Sequence, residues 1–215
     1  MTNCFVFDIN KCVGCHACIV ACTIENNTIP SVNWRQVNEF NHFKHPDLPV
    51  FYHSLACNHC DIPLCLESCP ANAYYIDSDT NAVIHEPEKC FGCKYCTWAC
   101  PYDAPKYNLT TNLIEKCTFC NERIKDGLKP ACANLCPTGA LDFKFTEKES
   151  NNLTTGFPDK KIKPNIIFVQ QPNERRELTI AVSQSNHSVK QLIIDAYRKS
   201  SKKISLKKEW VLLVF

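Results

Sequence analysis

Glycine is scarce, with five in 215 residues. Phosphate-cradling loops need glycine where backbone must approach the ligand, and neither G-x-G-x-x-G nor G-x-x-x-x-G-K-[ST] occurs. Charge of one sign is also lacking: 24 basic groups against 22 acidic leave +2. A nucleic-acid binder needs a basic face to meet phosphates, so no nucleic-acid partner is expected. There is no apolar run of the ~20 residues that cross a bilayer. Met1 to Phe7 shows neither the basic n-region nor the apolar h-region of a signal peptide. Hydrolytic signatures are missing too: no G-x-S-x-G, no H-E-x-x-H and no Ser/His/Asp grouping. No catalytic residue for an organic substrate is therefore expected.

Cysteine is abundant, at 17 residues. Disulfide frameworks suit short secreted domains with an even cysteine count. Here the count is odd, the chain is long, and the spacing suits one inorganic centre better than pairs. Sixteen cysteines form four quartets. Cys12, Cys15, Cys18 and Cys22 are spaced C-x2-C-x2-C-x3-C. Cys57, Cys60, Cys65 and Cys69 are spaced C-x2-C-x4-C-x3-C-P. Cys90, Cys93, Cys96 and Cys100 repeat the first spacing with a proline after it, and Cys117, Cys120, Cys132 and Cys136 read C-x2-C-x11-C-x3-C-P. Structural zinc also uses C-x2-C pairs, but it has no use for a third cysteine three residues on. The C-x2-C-x2-C-x3-C-P run is the bacterial ferredoxin pattern, whose fourth cysteine ligates the other cluster of a pair. A tight loop covers three corners of an iron–sulfur cube, and the fourth corner must be met from a distant segment. Pro70, Pro101 and Pro137 end the local turns, whereas Thr23 stands after Cys22.

The first quartet aligns without gaps on the third, Lys11 to Cys22 on Lys89 to Cys100. The second and fourth both end C-P-x-x-A, at Cys69 to Ala73 and Cys136 to Ala140, each before an apolar run that reads as a strand. The expected fold class is α+β: two pseudo-symmetric ferredoxin-like units with short strands, small helices and extensive loops. Spacing alone leaves open which quartets share a unit. Cys4 to Asp8 reads as a strand, as do Trp34 to Phe40 and Val50 to Leu55. Ala73 to Asp77 and Ala82 to Glu86 read as a hairpin, and Pro46 to Pro49 as a surface loop. Cys120 to Asp126 suits a helix that Gly127 stops.

From about residue 3 to 170 the chain resembles the electron-transfer (B) subunit of the dimethyl sulfoxide reductase family of molybdenum respiratory enzymes. Polysulfide, tetrathionate and formate systems have similar subunits. The resemblance implies that the first quartet crosses with the fourth and the second with the third. Carried over by position, cluster 1 takes Cys12, Cys15, Cys18 and Cys136, and cluster 2 takes Cys22, Cys117, Cys120 and Cys132. Cluster 3 takes Cys57, Cys60, Cys65 and Cys100, and cluster 4 takes Cys69, Cys90, Cys93 and Cys96. Some relatives have tryptophan where Cys93 stands and then hold a three-iron cluster. With sixteen thiolates kept here, the expectation is four [4Fe–4S] clusters. Residues 1–30 plus 110–146 form the first unit and 50–109 the second, with a family extension over 147–182. The implied partners are a molybdopterin catalytic subunit and a quinol-oxidising membrane anchor. The same relay role in a formate dehydrogenase, a polysulfide or tetrathionate reductase or a hydrogenase complex is the alternative, and a zinc-stabilised interaction module is a distant one.

Outside the quartets, Cys4 suits a buried inert thiol and His59 a side chain packed beside a cluster. The other histidines, His16, His42, His45, His53, His85 and His187, are scattered. Lysine precedes three quartets, at Lys11, Lys89 and Lys116. A four-thiolate cluster carries about −2 when oxidised, so four would take the chain to about −6. These lysines are candidates for tuning cluster potentials or docking a negative partner, with solvated loop ends as the alternative. Near the C-terminus Val189 to Arg198 has helical spacing. The stretch 183–208 is a basic linker, with six basic residues in the eleven from Arg198 to Lys208. Residues 209–215 are an apolar tail whose E-W-x-L-x-x-F resembles the opening of a membrane helix in the anchor subunit. The expectation is either the start of a fused anchor or a docking tail, with the protein membrane-associated through the anchor or a partner. The basic run favours the cytoplasmic side, whereas the resemblance favours the periplasmic one.

Overall fold

The computed structural model describes residues 1–29, 31–41, 50–147 and 162–169. Strand β1, Thr2–Asp8, is rich in phenylalanine and lies in the middle of a three-stranded sheet. Its neighbours are β8, Leu141–Thr146, antiparallel, and β9, Ile166–Val169, parallel. Flanked on both edges, β1 is buried at Asn3, Cys4, Phe5, Phe7 and Asp8. The sequence suggests alternation over Cys4 to Asp8; burial is instead nearly continuous, as for a central strand covered on both faces. Phe5 meets Phe119 at 4.8 Å and Phe7 meets Phe168 at 6.2 Å between ring centroids. Each such ring contributes roughly 1.5–3 kcal/mol by leaving water.

Three antiparallel hairpins complete the strands. They are β2 (Gln36–Phe40) with β3 (Phe51–Leu55), β4 (Tyr74–Ile76) with β5 (Val83–His85), and β6 (Lys106–Asn108) with β7 (Leu113–Glu115). The β2, β3 and β4–β5 elements fall where the sequence places them. The β6–β7 hairpin is not legible in it, because Lys-Tyr-Asn and Leu-Ile-Glu are too short to show a period. The Pro46 to Pro49 loop lies outside the described residues.

The helices are short: α1 Ala17–Asn26, α2 Leu64–Glu67, α3 Tyr95–Ala99, α4 Asn121–Lys125 and α5 Ala131–Asn134. α4 ends just before Gly127, whose φ of 74° suits the C-terminal stop. α1 packs on α5, and α2 packs on α3 and β4. The elements of the first and fourth quartets thus lie together, as do those of the second and third. Cysteine and apolar residues pack together there: Cys65 and Cys96 with Tyr74, Val83 and Ile114, and Cys57 and Cys117 with Ala56 and Ala104.

No described helix is long and apolar enough to cross a membrane. The expected helix over Val189 to Arg198, the basic linker 183–208 and the tail 209–215 lie outside the described residues, as does all of 147–182 except 147 and 162–169, the latter holding β9.

Candidate metal centres

Antiparallel pairing decides which cysteines meet. In the β1–β8 pair Phe7 faces Leu141, and Asp8 N–H donates to Ala140 O at 2.7 Å. The end of β1, which leads to Cys12, therefore lies against the start of β8, which follows Cys136. The β4–β5 hairpin repeats this arrangement. Tyr74 faces His85, and Glu86 N–H donates to Ala73 O at 2.9 Å, so Cys69 arrives beside Cys90. In β6–β7, Lys106 faces Glu115, which sets the segment after Cys100 against Cys117.

All seventeen cysteines lie among the described residues and none is in a disulfide. Among the described residues no three metal-binding side chains stand close enough to hold a single ion, but mutual charge repulsion and one shared cavity sort the thiols into four neighbourhoods. Cys12 is raised by burial and by the nearby Cys18, Cys136 and Cys15. Cys22 is pushed up to about 12 by burial, with Cys132 and Cys120 close by. Cys117, wholly buried, has Cys22 and Cys120 as neighbours and is raised well above a free thiol. Cys65 is likewise pushed up to about 12, by burial and then by Cys57, with Cys100 adding to it. Burial raises Cys96, beside Cys69, Cys93 and Cys90. Cys57, Cys60, Cys65 and Cys100 line one cavity together with Pro63 and Lys116. Some thiols also face the next neighbourhood: Cys18 is near Cys132, Cys117 near Cys57, and Cys65 near Cys96.

The loops aim backbone N–H groups at these sulfurs. The residue two after the first cysteine donates to that cysteine's Sγ at 3.4 Å in three quartets, from His59 to Cys57, Gly92 to Cys90 and Phe119 to Cys117. Gly14 does the same for Cys12. All four donors have positive φ: 67° at Gly14, 44° at His59, 73° at Gly92 and 65° at Phe119. Histidine and phenylalanine adopt this region at a cost of about 1–2 kcal/mol, so the turn is imposed by the N–H it delivers. Leu141 N–H reaches Cys136 Sγ and Ala73 N–H reaches Cys69 Sγ, each at 3.4 Å. Cys136 is held below the usual range: burial raises it, but Leu141 and Thr138 donate to it and outweigh that.

Buried thiols that repel one another need a positive centre to hold thiolate charge. An iron–sulfur cube suits this donor set, because soft thiolates, N–H donors and nearby cations all favour its net negative charge.

The three lysines separate. Lys116 is buried, and its Nζ donates to Val83 O and, at 2.7 Å, to Cys117 O. Its charge lowers Cys65 and Cys100 against the rise that burial gives them. Lys11 pairs with Asp8 at 3.4 Å and Lys89 with Glu86 at 2.6 Å, both lysines more than half exposed. His59 is buried and stacked on Phe119 at 4.1 Å, and its Nδ1 accepts from Val83 N–H at 3.0 Å. The proton of its neutral ring is therefore on Nε2. Cys4 is fully buried. His16 is the left-handed residue before α1, and His85 is half-buried against Tyr74. His42, His45 and His187 lie outside the described residues.

Two buried groups are silent in the sequence. Arg35 precedes β2 in a segment with no motif, yet it is 2 % exposed and lies among Cys132, Cys117, Cys18 and Cys22. His53 is buried among Phe7, Phe40, Phe51 and Phe168, which holds it down to about 4. An arginine and a histidine beside strands normally read as solvent-facing.

The thiol loops and paired hairpins define an iron–sulfur protein, and residues 48–146 match the 4Fe-4S dicluster domain family. Over 185 residues the chain is 35% identical to the B component of the anaerobic dimethyl sulfoxide reductase of Escherichia coli, covering 80% of this chain and 90% of that one. It is 38% identical over 188 residues to the B component of the same reductase from Haemophilus influenzae, covering 81% and 91%. It is 40% identical over 137 residues to the B component of the tetrathionate reductase of Salmonella typhimurium, covering 63% and 54%. The chain belongs to this family of iron–sulfur electron-transfer subunits of oxidoreductase complexes.

Proposed function

We propose that the chain relays single electrons through four [4Fe–4S] clusters. Cluster 1 is held by Cys12, Cys15, Cys18 and Cys136, and cluster 2 by Cys22, Cys117, Cys120 and Cys132. Cluster 3 is held by Cys57, Cys60, Cys65 and Cys100, and cluster 4 by Cys69, Cys90, Cys93 and Cys96. The observation that carries this reading is the set of thiol neighbourhoods and the charge repulsion felt between them, Cys18 from Cys132, Cys117 from Cys57 and Cys65 from Cys96. This supports a run of clusters in the order 1, 2, 3, 4. When bound, each cluster supplies a reversible one-electron carrier. The protein holds the thiolates, directs N–H groups at them, and excludes water with Phe119, with Tyr74, Val83 and Ile114 around Cys96, and with Ala56 and Ala104 around Cys57.

Residues 1–30 plus 110–146 and residues 50–109 act as two pseudo-symmetric ferredoxin-like units. Support comes from the paired helices and from the shared manner in which β1–β8 and β4–β5 bring a last cysteine to a first one. The chain conducts and leaves chemistry to a molybdopterin catalytic subunit at one end. A quinol-oxidising membrane anchor feeds the other end and makes the complex membrane-associated. The terminal acceptor is dimethyl sulfoxide or a related oxidised compound. Lys116 is the lysine placed to tune a cluster, since only it is buried among thiols.

The test is anaerobic reduction of the full chain. Uptake of about four electrons per chain is expected, one per cluster. Reoxidation by dimethyl sulfoxide is expected only with the cognate catalytic subunit present. Uptake of two or fewer, or reoxidation by the chain alone, would overturn the reading.

A further inference from the structure

We propose that the Arg35 guanidinium is a built-in counter-charge shared by clusters 1 and 2, donating N–H groups to sulfur on both and raising the potential of both. This rests on the four-cluster reading above. Arg35 is 2 % exposed, and a buried guanidinium without an anion is costly. Its NH1 donates to Ser54 O and Ser54 Oγ, each at 3.1 Å. Its Cζ lies 4.6 Å above the Phe5 ring, which holds the plane in place. Its Nε and NH2 are buried and have no hydrogen-bond acceptor, cysteine sulfur included, among the described residues. None of the ion pairs among the described residues includes it. The charges acting on it are thiols from two neighbourhoods: Cys18 from one, and Cys22, Cys117 and Cys132 from the other.

No atom of the described residues, cysteine sulfur included, accepts from these two donors, so sulfur of the clusters, when bound, is the acceptor left to them. Ser54 extends the arrangement, because its Oγ also lies 3.2 Å from Cys18 Sγ. A guanidinium stays charged at every accessible pH, so the effect is constant. A fixed cation favours whichever neighbour holds the extra electron. Transfer from one cluster to the other oxidises the first and reduces the second by one electron, with no bond made or broken. The cation acts on the thiols of both neighbourhoods and opposes neither direction.

The experiment is a spectroscopic redox titration of the full chain bearing Arg35→Gln or Arg35→Lys, with iron counted in every sample. Parent protein labelled with 15N-arginine is measured alongside. In Arg35→Gln two of four potentials should fall at least tenfold in the reduction equilibrium, ~59 mV for one electron. The other two should hold, Arg35→Lys should stay near the parent, and 15N coupling should appear on two cluster signals. If Arg35→Gln loses iron, the lysine variant and the labelled parent still decide. Unchanged potentials at full iron content, equal shifts in both variants, or absent 15N coupling overturn this proposal alone. A parent chain that binds little iron overturns the four-cluster reading with it.

Discussion

At the scale of single residues, burial separates groups the sequence treats alike. Lys11, Lys89 and Lys116 occupy the same place before a quartet, yet only Lys116 enters the protein, because the β6–β7 hairpin delivers it under Val83 O. A cation stabilises the reduced, more negative cluster. Lys116→Gln should therefore lower one potential by on the order of 50 mV, with Lys11→Gln and Lys89→Gln nearly silent in the same titration. His53 sets a pH dependence. Unfolded, it takes up its proton near 6.5, and burial holds it to about 4 in the fold. Between these values the unfolded chain binds the extra proton, so stability falls as pH drops from 6.5 toward 4. The loss is about 3 kcal/mol at most. Anaerobic thermal melts at pH 7 and pH 5 should show a lower midpoint at pH 5, and His53→Leu should shrink the difference, with the rest kept by His59 and His85, which burial depresses in the same direction.

At the scale of elements, helices of four and five residues cannot stand alone. α2, α3, α4 and α5 are held by the thiol loops they continue. Those loops depend on left-handed turns. At Gly92 (φ 73°) an added Cβ would be driven into the Asn112 carbonyl oxygen, whereas at Gly127 (φ 74°) nothing lies within 4 Å. Gly92→Ala should cost about 3 kcal/mol or more and lose one cluster, and Gly127→Ala about 1 kcal/mol with all iron kept. Paired melting curves and iron assays check the contrast. The elements legible in the sequence were those with a punctuated pattern: β1, β2 and β3, the β4–β5 hairpin around Ser78 to Asn81, β8 after its C-P-x-x-A, and α4 with its glycine stop. The β6–β7 hairpin and β9 were illegible, because three or four residues show no period and long-range pairing decides them.

At the scale of the whole molecule, the quartets were legible because metal-ligand spacing is local. Which thiols meet across the chain was not, since that depends on strand pairings between residues such as Phe7 and Leu141. Arg35 was hidden for the same reason: nothing within its own segment marks it as buried. The thiols around Cys65 and Cys96, Cys57 and Cys117, and Cys120 are packed into the interior beside an aromatic core of Phe5, Phe7, Phe119 and Phe168. The central proposal is that four iron–sulfur cubes fill these thiol neighbourhoods. The most direct measurement is iron, acid-labile sulfide and zinc in the full chain purified without oxygen. About sixteen irons and sixteen sulfides per chain are predicted, four of each per cube. Zinc without sulfide, or iron near half that amount, would contradict the account.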